Sequence, residues 1–418
     1  MDPTLPVAIT ATTTANAAMN RTWCRSVTVA VSAVRGFGDN GRMRRRALVA
    51  TAALLLAACT SGVDERPAPA PSTTAANRVP VSWPTADATE AGFDAKALAR
   101  IDRHLEKSGS SCFVVVHDGA VVHEQYWNGG EPTLARAAFS VTKSFTSVLV
   151  GIAADQGLLD LDDRVSQYVP QWKGTASADV TIRDLLSNTS GRQWDFESDY
   201  NKMAFAEPDK TAFAIGLSQQ HPRGTTWTYN NSAIQVLSAV LRAATGEEPA
   251  EIAQREILDP LRMTDTTWSN DQAGHTMTFA GVSSTCLDLA RFGQMALGEG
   301  QWDGTRVVSR SYLDEATQQS SSDLNAAYGL LWWVNQPGIV LGALQATDPE
   351  RRPSTDDTGR LAPRVPDDAF WALGLGSQVV AVVPSERLVA VRMGVQPTSS
   401  RAVSPDRFTG DLLDALKR

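Results

Sequence analysis

Histidine and cysteine are scarce in this chain, five and four among 418 residues. The histidines (His104, His117, His123, His221 and His275) are scattered, and no Gly-x-Ser-x-Gly segment occurs. A Ser-His-Asp triad on a nucleophile elbow is therefore not expected. The cysteines (Cys24, Cys59, Cys112 and Cys286) show no metal-type spacing, which removes the zinc-site patterns. Asp160, Asp162 and Asp163 read as a solvated loop after a helix, so no metal is expected. Basic residues form no stripe, no aromatics interleave with them, and the formal net charge is −8; nucleic acid is not an expected partner. The apolar run Ala47–Ala58 is shorter than the roughly 20 residues that cross a bilayer as a helix. No internal repeat is visible.

What is present suits a globular protein: 43% hydrophobic and 20% charged residues are enough for a sizeable core. The length allows two average domains or one large one. The eleven tryptophans are assigned mainly to that core, with some available to line a cleft.

The N-terminus carries a targeting pattern. Arg44, Arg45 and Arg46 precede the apolar run, and small residues then lead to Cys59, the three-part layout of an export signal. Leu56-Ala57-Ala58-Cys59 resembles a bacterial lipobox, which implies lipidation of Cys59 and a lipid-anchored protein outside the cytoplasm. Such signals begin at an initiator methionine, and Met43 sits where one belongs. Residues 1–42 are accordingly read as an upstream extension from a misassigned start, and residues 43–58 as the signal. Residues 59–82, rich in Pro, Ala, Ser and Thr, read as a tether that holds a domain off a membrane surface. Cys112 and Cys286 remain for the folded part. A disulfide is permitted there in an oxidising compartment, but the expectation from sequence is a pair of buried free thiols.

Ordered structure is expected from about Trp83. Asp94 caps a helix whose Leu98, Ile101 and Leu105 share one face. Two β-rich runs flank Asp118-Gly119, a hairpin signal. Ser140 opens a helix with Phe145, Val148, Leu149 and Ile152 at helical spacing, closed by Gly157. About 160–325 is mainly helical, and the run from Tyr328 to Val334 reads as a strand. A polar loop follows to about Asp368. Two strands then meet at a turn at Pro384-Ser385, and Ser404-Pro405 introduces a last helix. The plan is a mixed α/β fold of the α+β kind: an antiparallel sheet from both chain ends, flanked by helices, with an inserted helical region. A cleft at their junction is the natural place for a site.

Serine is a weak nucleophile at neutral pH and needs a base within hydrogen-bond reach. Ser140-Val141-Thr142-Lys143 supplies one, because residues three apart on a helix lie on the same face. The positive end of the helix and partial burial both favour a deprotonated lysine. No other lysine in the chain has a serine three residues before it. The bland alternative is an N-capping serine with a surface lysine.

Here the sequence resembles the serine β-lactamase and penicillin-binding-protein superfamily, especially the branch with class C enzymes, esterases and 6-aminohexanoate-dimer hydrolases. Phe139 to Ser144 is similar to its nucleophile motif. Thr181 to Gly191 is similar to its signature loop, with Asn188 where many members have histidine. Leu258 to Thr266 matches a further stretch, and the resemblance runs from about Trp83 to the C-terminus. The family's Tyr-x-Asn motif fits Tyr126-Trp127-Asn128 and Tyr229-Asn230-Asn231, and chain order selects the second. The resemblance implies that a Tyr229 phenolate near two cationic groups exchanges the serine proton, and that Asn231 orients lysine and substrate. Tyr126 is then structural. The third motif falls on Ala372 to Gln378, where Gly374 and Gly376 allow close backbone approach. The N–H groups of Leu375 and Ser140 would form an oxyanion hole, in which losing one donor typically costs about 10²–10³ in rate. Ala372 stands where β-lactamases and carboxypeptidases carry a cation, with Arg351, Arg352, Arg360 and Arg364 on the preceding loop as possible substitutes. Trp194, Asp195 and Tyr200 are weighed between a substrate role and loop packing.

The expected function is a cofactor-independent serine hydrolase acting through an acyl-enzyme on esters or amides of small to medium size. A β-lactamase or D-alanyl-D-alanine carboxypeptidase is one alternative, and a non-catalytic binding lipoprotein on the same fold is another.

Overall fold

The computed structural model describes residues 83–345, 358–397 and 403–417. The upstream extension, signal, Cys59, the tether, Arg351 and Arg352 lie outside the described residues. Asp94 accepts a hydrogen bond from the Ala97 amide (2.8 Å) and starts α1 (Ala95–Lys107). The hairpin follows as β1 (Ser110–His117) and β2 (Ala120–Tyr126), with Asp118 and Gly119 both at positive φ (52° and 78°) in its turn. Far along the chain come β3 (Trp333–Val334), β4 (Phe370–Gly374), β5 (Gln378–Val383) and β6 (Leu388–Gly394). These strands form one sheet in the order β2-β1-β6-β5-β4-β3, antiparallel throughout. The two chain ends meet where β1 pairs with β6, as the alternation of short apolar runs and turns implied.

Both faces of the sheet are covered. On one, α8 (Pro405–Ala415) packs beside α1; Phe113 meets Phe408 with ring centroids 5.7 Å apart, and the Trp371 indole donates to Thr409 Oγ1 (2.9 Å). On the other lies α7 (Cys286–Leu297), where Gly293 lets the helix settle onto Val380 and Val389. Thus α7, although inside the 160–325 stretch, belongs to the sheet layers. The rest of that stretch is helical and loop-rich, with α3 (Ile182–Leu186), α4 (Lys210–Gly216), α5 (Asn231–Thr245) and α6 (Pro249–Ala253). Helix α2 (Thr142–Asp155) runs between the two parts and is buried from Thr142 to Ala153. A helix buried on every side must satisfy its polar groups internally. Ser144 Oγ accordingly donates to the Leu331 carbonyl (3.0 Å) and Thr146 Oγ1 to the Thr278 carbonyl (2.7 Å).

Two expectations are corrected. The run from Tyr328 is a strand only at Trp333–Val334. Before it the chain makes a tight turn in which Gly329 N donates to the Trp332 carbonyl (2.9 Å) and Leu331 sits at φ 62°; the apolar residues there are buried by packing rather than by pairing. Cys112 and Cys286 are not free thiols but a disulfide, with Cα atoms 6.3 Å apart. The crossing of β1 by the start of α7 brings them together across 174 residues of sequence.

Candidate active site

Ser140 sits in a short helical turn, Phe139–Val141, immediately before α2. The turn is sharp: Phe139 has φ 49°, a conformation strained for a bulky residue and one that recurs at functional sites. The buried Lys143, 1% exposed, lies one turn further along. Its Nζ donates to Ser140 Oγ (2.9 Å), to Asn231 Oδ1 (2.7 Å) and to the Phe279 carbonyl (2.9 Å). Burial drives its ammonium down to about 7, since removing a charge from water disfavours the charged form. Tyr229 hydrogen-bonds Ser140 from another side. Its ring stacks on Trp333 (5.8 Å) and lies 4.7 Å from Lys143 Nζ. The structure therefore joins Ser140, Lys143, Tyr229 and Asn231 in one cluster. Tyr126 is on β2, with its hydroxyl on Glu124, and Asn128 braces the Glu106 and Ser110 carbonyls.

The sequence profile of the Beta-lactamase family matches residues 98–412. The chain belongs to that family of hydrolases. It is 25% identical over 291 residues to the 6-aminohexanoate-dimer hydrolase of Paenarthrobacter ureafaciens, covering 59% of this chain and 70% of that one. A penicillin-binding protein homolog from Caulobacter crescentus superposes with a TM-score of 0.58 at 16% identity, over 80% of this chain and 98% of its own. A family VIII carboxylesterase superposes with a TM-score of 0.57, also at 16% identity and the same coverage. These two likenesses concern the fold.

Around the β-lactamase-family cluster, local structure explains each position. Thr181 and Asp184, at the start of the signature segment, form a reciprocal capping box for α3, and the loop to Gly191 follows. Asn188 adopts φ 61°, a left-handed conformation that asparagine tolerates better than most residues. From there its Oδ1 accepts the Asn230 amide (3.2 Å) and its carbonyl accepts the Thr228 amide (3.0 Å). The loop thus holds the strand-like segment carrying Tyr229. Asn230 caps α5 through the Ala233 amide (2.8 Å), which places Asn231 at the first helical position, facing Lys143.

The sequence reading missed Asp199. This residue, 1% exposed, lies in a wide helical segment, Glu197–Ala206, of the kind often found at functional sites. Its carboxylate accepts from the Asn231 amide (3.2 Å) and Nδ2 (2.8 Å), and from the Ser232 amide (2.7 Å) and Oγ (2.7 Å). It therefore caps the N-terminus of α5, where a negative charge is favoured. Burial pushes its carboxyl upward, against those four donors, while its charge acts on Lys143 in the direction that keeps the ammonium protonated. No motif marks it; an acidic residue in a polar stretch after the signature loop is all that sequence displays. Of the three residues left open there, Tyr200 reaches the cluster, within hydrogen-bonding range of Asn231. Asp195 caps its own turn through the Ser198 amide (2.8 Å), and the Trp194 amide binds Gln220 (3.0 Å).

The electrostatics bear on the role expected for Tyr229. Among the described residues the cation found at its ring is Lys143, and burial pushes its phenol above the usual range. At neutral pH it is a phenol, and the group close to losing its proton is Lys143.

The third motif lies where β4 ends. A Cβ on Gly374 would come within 2.3 Å of the Ala138 carbonyl, so only glycine lets this strand approach the backbone two residues before Ser140. Leu375, Gly376 and Ser377 form the turn into β5, whose register pairs Gly374 with Gln378. Ala372 is buried and uncharged. Arg360 is tied to Asp367 and the Asn335 carbonyl, and Arg364 to Asp411 and Asp414; neither supplies the missing cation. Among the aspartates after α2, Asp162 pairs with Arg183 and Asp163 accepts from Tyr168.

A cavity of about 740 Å³ lies elsewhere, lined by Trp172, Arg192, Gln219 and His275 among others. The Arg192 guanidinium there is spent on Ser177 Oγ and the Ala214 and Ile215 carbonyls at the end of α4. The Ser140 cluster is selected by its chemistry.

Proposed function

We propose that this chain is a serine hydrolase that cleaves ester or amide bonds of small to medium, uncharged substrates through an acyl-enzyme on Ser140. The observation that carries this reading is the convergence on Ser140 Oγ. Lys143 has three hydrogen-bond partners, and two of them, Asn231 Oδ1 and the Phe279 carbonyl, can only accept. A neutral amine keeps N–H bonds to both and turns its lone pair toward Ser140, as a general base requires.

In the proposed cycle Lys143 takes the Ser140 proton while Oγ bonds to the substrate carbonyl carbon. The negative charge on the carbonyl oxygen is held by the N–H groups of Ser140 and Leu375. As the bond to the leaving group breaks, that group takes a proton from the Tyr229 phenol, which is refilled from the Lys143 ammonium. Water then adds to the acyl carbon, giving up a proton by the same route, and Ser140 leaves with its proton restored. Asp199 holds Asn231 and the start of α5, and thereby Lys143.

Specificity for uncharged substrates follows from Ala372. Burying an anion without a partner costs on the order of several kcal/mol, and the cleft strand offers it no charge. We further propose that the protein is exported and anchored through lipid on Cys59. A disulfide between Cys112 and Cys286 supports an oxidising compartment.

A fluorophosphonate probe and a p-nitrophenyl ester test the catalytic reading. The wild type should label on Ser140 and turn over the ester, and Ser140→Ala should do neither. An unlabelled, inactive wild type would favour the binding-protein alternative. For anchoring, Cys59→Ala should release the protein from the membrane fraction, and a wild type already soluble would refute the proposal.

A further inference from the structure

A second buried cation stands behind the turn that carries the Leu375 N–H. Arg392 on β6 is 0% exposed and pairs in register with Phe113 of β1 and Val379 of β5. Its Nη1 donates to the carbonyls of Gly376 (2.5 Å) and Ser377 (2.9 Å). Its Nε donates to Ser110 Oγ (2.8 Å), and its Nη2 to the Ser108 (3.4 Å) and Val395 (3.1 Å) carbonyls. Among the described residues its hydrogen-bond partners include no carboxylate. Burial lowers its pKa only to about 10, so the charge persists at neutral pH and the fork geometry with it.

What Arg392 grips is the turn itself. Gly376 and Ser377 both lie at positive φ, 83° and 58°, and for serine that conformation must be held by its surroundings. The neighbouring peptide is pinned at both ends: Gln378 Nε2 donates to the Leu375 carbonyl (3.1 Å), and the Gly376 amide donates to Gln396 Oε1 (3.1 Å). None of these bonds uses the Leu375 N–H. Peptide planes are rigid. With the β4–β5 ladder on one side and the pinned planes on the other, the direction of that N–H is set by the anchors. We propose that Arg392 is a positioning residue for catalysis, aiming the Leu375 N–H at the substrate oxygen by drawing the next two carbonyls into the sheet. The inference rests on the serine-hydrolase reading, and in particular on Leu375 as an oxyanion donor.

The test uses Arg392→Lys, which retains charge but not the fork, in the full-length protein. Active sites are titrated with a fluorophosphonate, ester kinetics are measured, and inhibition by phenylboronic acid, whose serine adduct is a tetrahedral anion, is measured alongside. The expected result is a fall of about 10- to 100-fold in kcat per titrated site, at or below the lower limit for a donor lost outright. KM should stay within about twofold, and the boronate inhibition constant should rise in step with the fall in kcat. The acid limb of the pH profile, set by Lys143, should not move. A lower Tm with unchanged kcat per titrated site and unchanged boronate affinity would make Arg392 merely structural and overturn the proposal. If Arg392→Lys fails to fold, Ser110→Ala carries the test by freeing Nε. A fall in kcat of about three- to tenfold with the same boronate signature is expected, and wild-type values of both would overturn the proposal. Failure of the parent reading looks different, because the wild type would then neither titrate at Ser140 nor bind the boronate.

Discussion

The two sides of the proposed cleft each bury a cation, and they treat it in opposite ways. On the helical side, Lys143 is surrounded by a hydroxyl, an amide and one carbonyl, with Asp199 behind Asn231. Its pKa falls to about 7, within reach of either protonation state. On the strand side, Arg392 is gripped by four backbone carbonyls and a serine hydroxyl and keeps its charge. On the proposed reading one cation sheds a proton and the other holds backbone still. Lysine suits the first task because burial shifts it readily, and arginine suits the second because its planar fork binds several acceptors and stays charged.

The largest effect expected on this contrast is at Lys143. Lys143→Met should lower kcat/KM by about 10²–10⁴, the usual worth of a positioned general base. In the wild type kcat/KM should rise with pH and level off above about 7, because the base form of Lys143 is the reactive one. A profile flat from pH 5 to 9 would show that Lys143 is not the titrating base. Next comes Asp199→Asn, which replaces an acceptor of four bonds with a side chain that must present an NH₂ group to donors. Activity should drop about 10- to 100-fold as Asn231 loses its orientation. Because the Asp199 charge raises Lys143, its loss should also slide the acid limb to lower pH; a limb moving upward would refute the coupling.

The strand side is sharpened by substrate charge. A chromogenic cephalosporin should be turned over with kcat/KM at least about 100-fold below a short acyl ester, the consequence of an unpaired anion at Ala372. Comparable rates for the two would sink the specificity argument. The smallest effect on catalysis is expected from Cys112→Ser/Cys286→Ser. Opening that crosslink should cost about 2–4 kcal/mol of stability, read as a lower Tm, with kcat per titrated site unchanged. A wild-type Tm would show that the bond is not formed in the protein.

Much of this was open to sequence because it is local. The capped first helix, the Asp118-Gly119 hairpin, the Ser140–Lys143 spacing and the turn at Pro384-Ser385 each rest on residues a few positions apart, where periodicity, turn chemistry and helical geometry act directly. The choice of Tyr229 over Tyr126 rests on family resemblance and chain order; in the packed structure Tyr229 lies against Ser140 and Tyr126 lies on β2 with its hydroxyl on Glu124. What sequence could not reveal lies across long separations. The Phe279 carbonyl on Lys143 is backbone and leaves no side-chain signal; it reaches the lysine across 136 residues. Arg392 reads as one charge in an apolar strand, and its bond to Ser110 spans 282 residues. Asp199 looks like any solvated acid until α5 docks its first two amides onto it. Protonation states follow the same rule. Sequence determined that a serine, a lysine and a tyrosine are available, while burial, which only the tertiary fold decides, makes Lys143 rather than Tyr229 the group able to lose its proton near neutral pH.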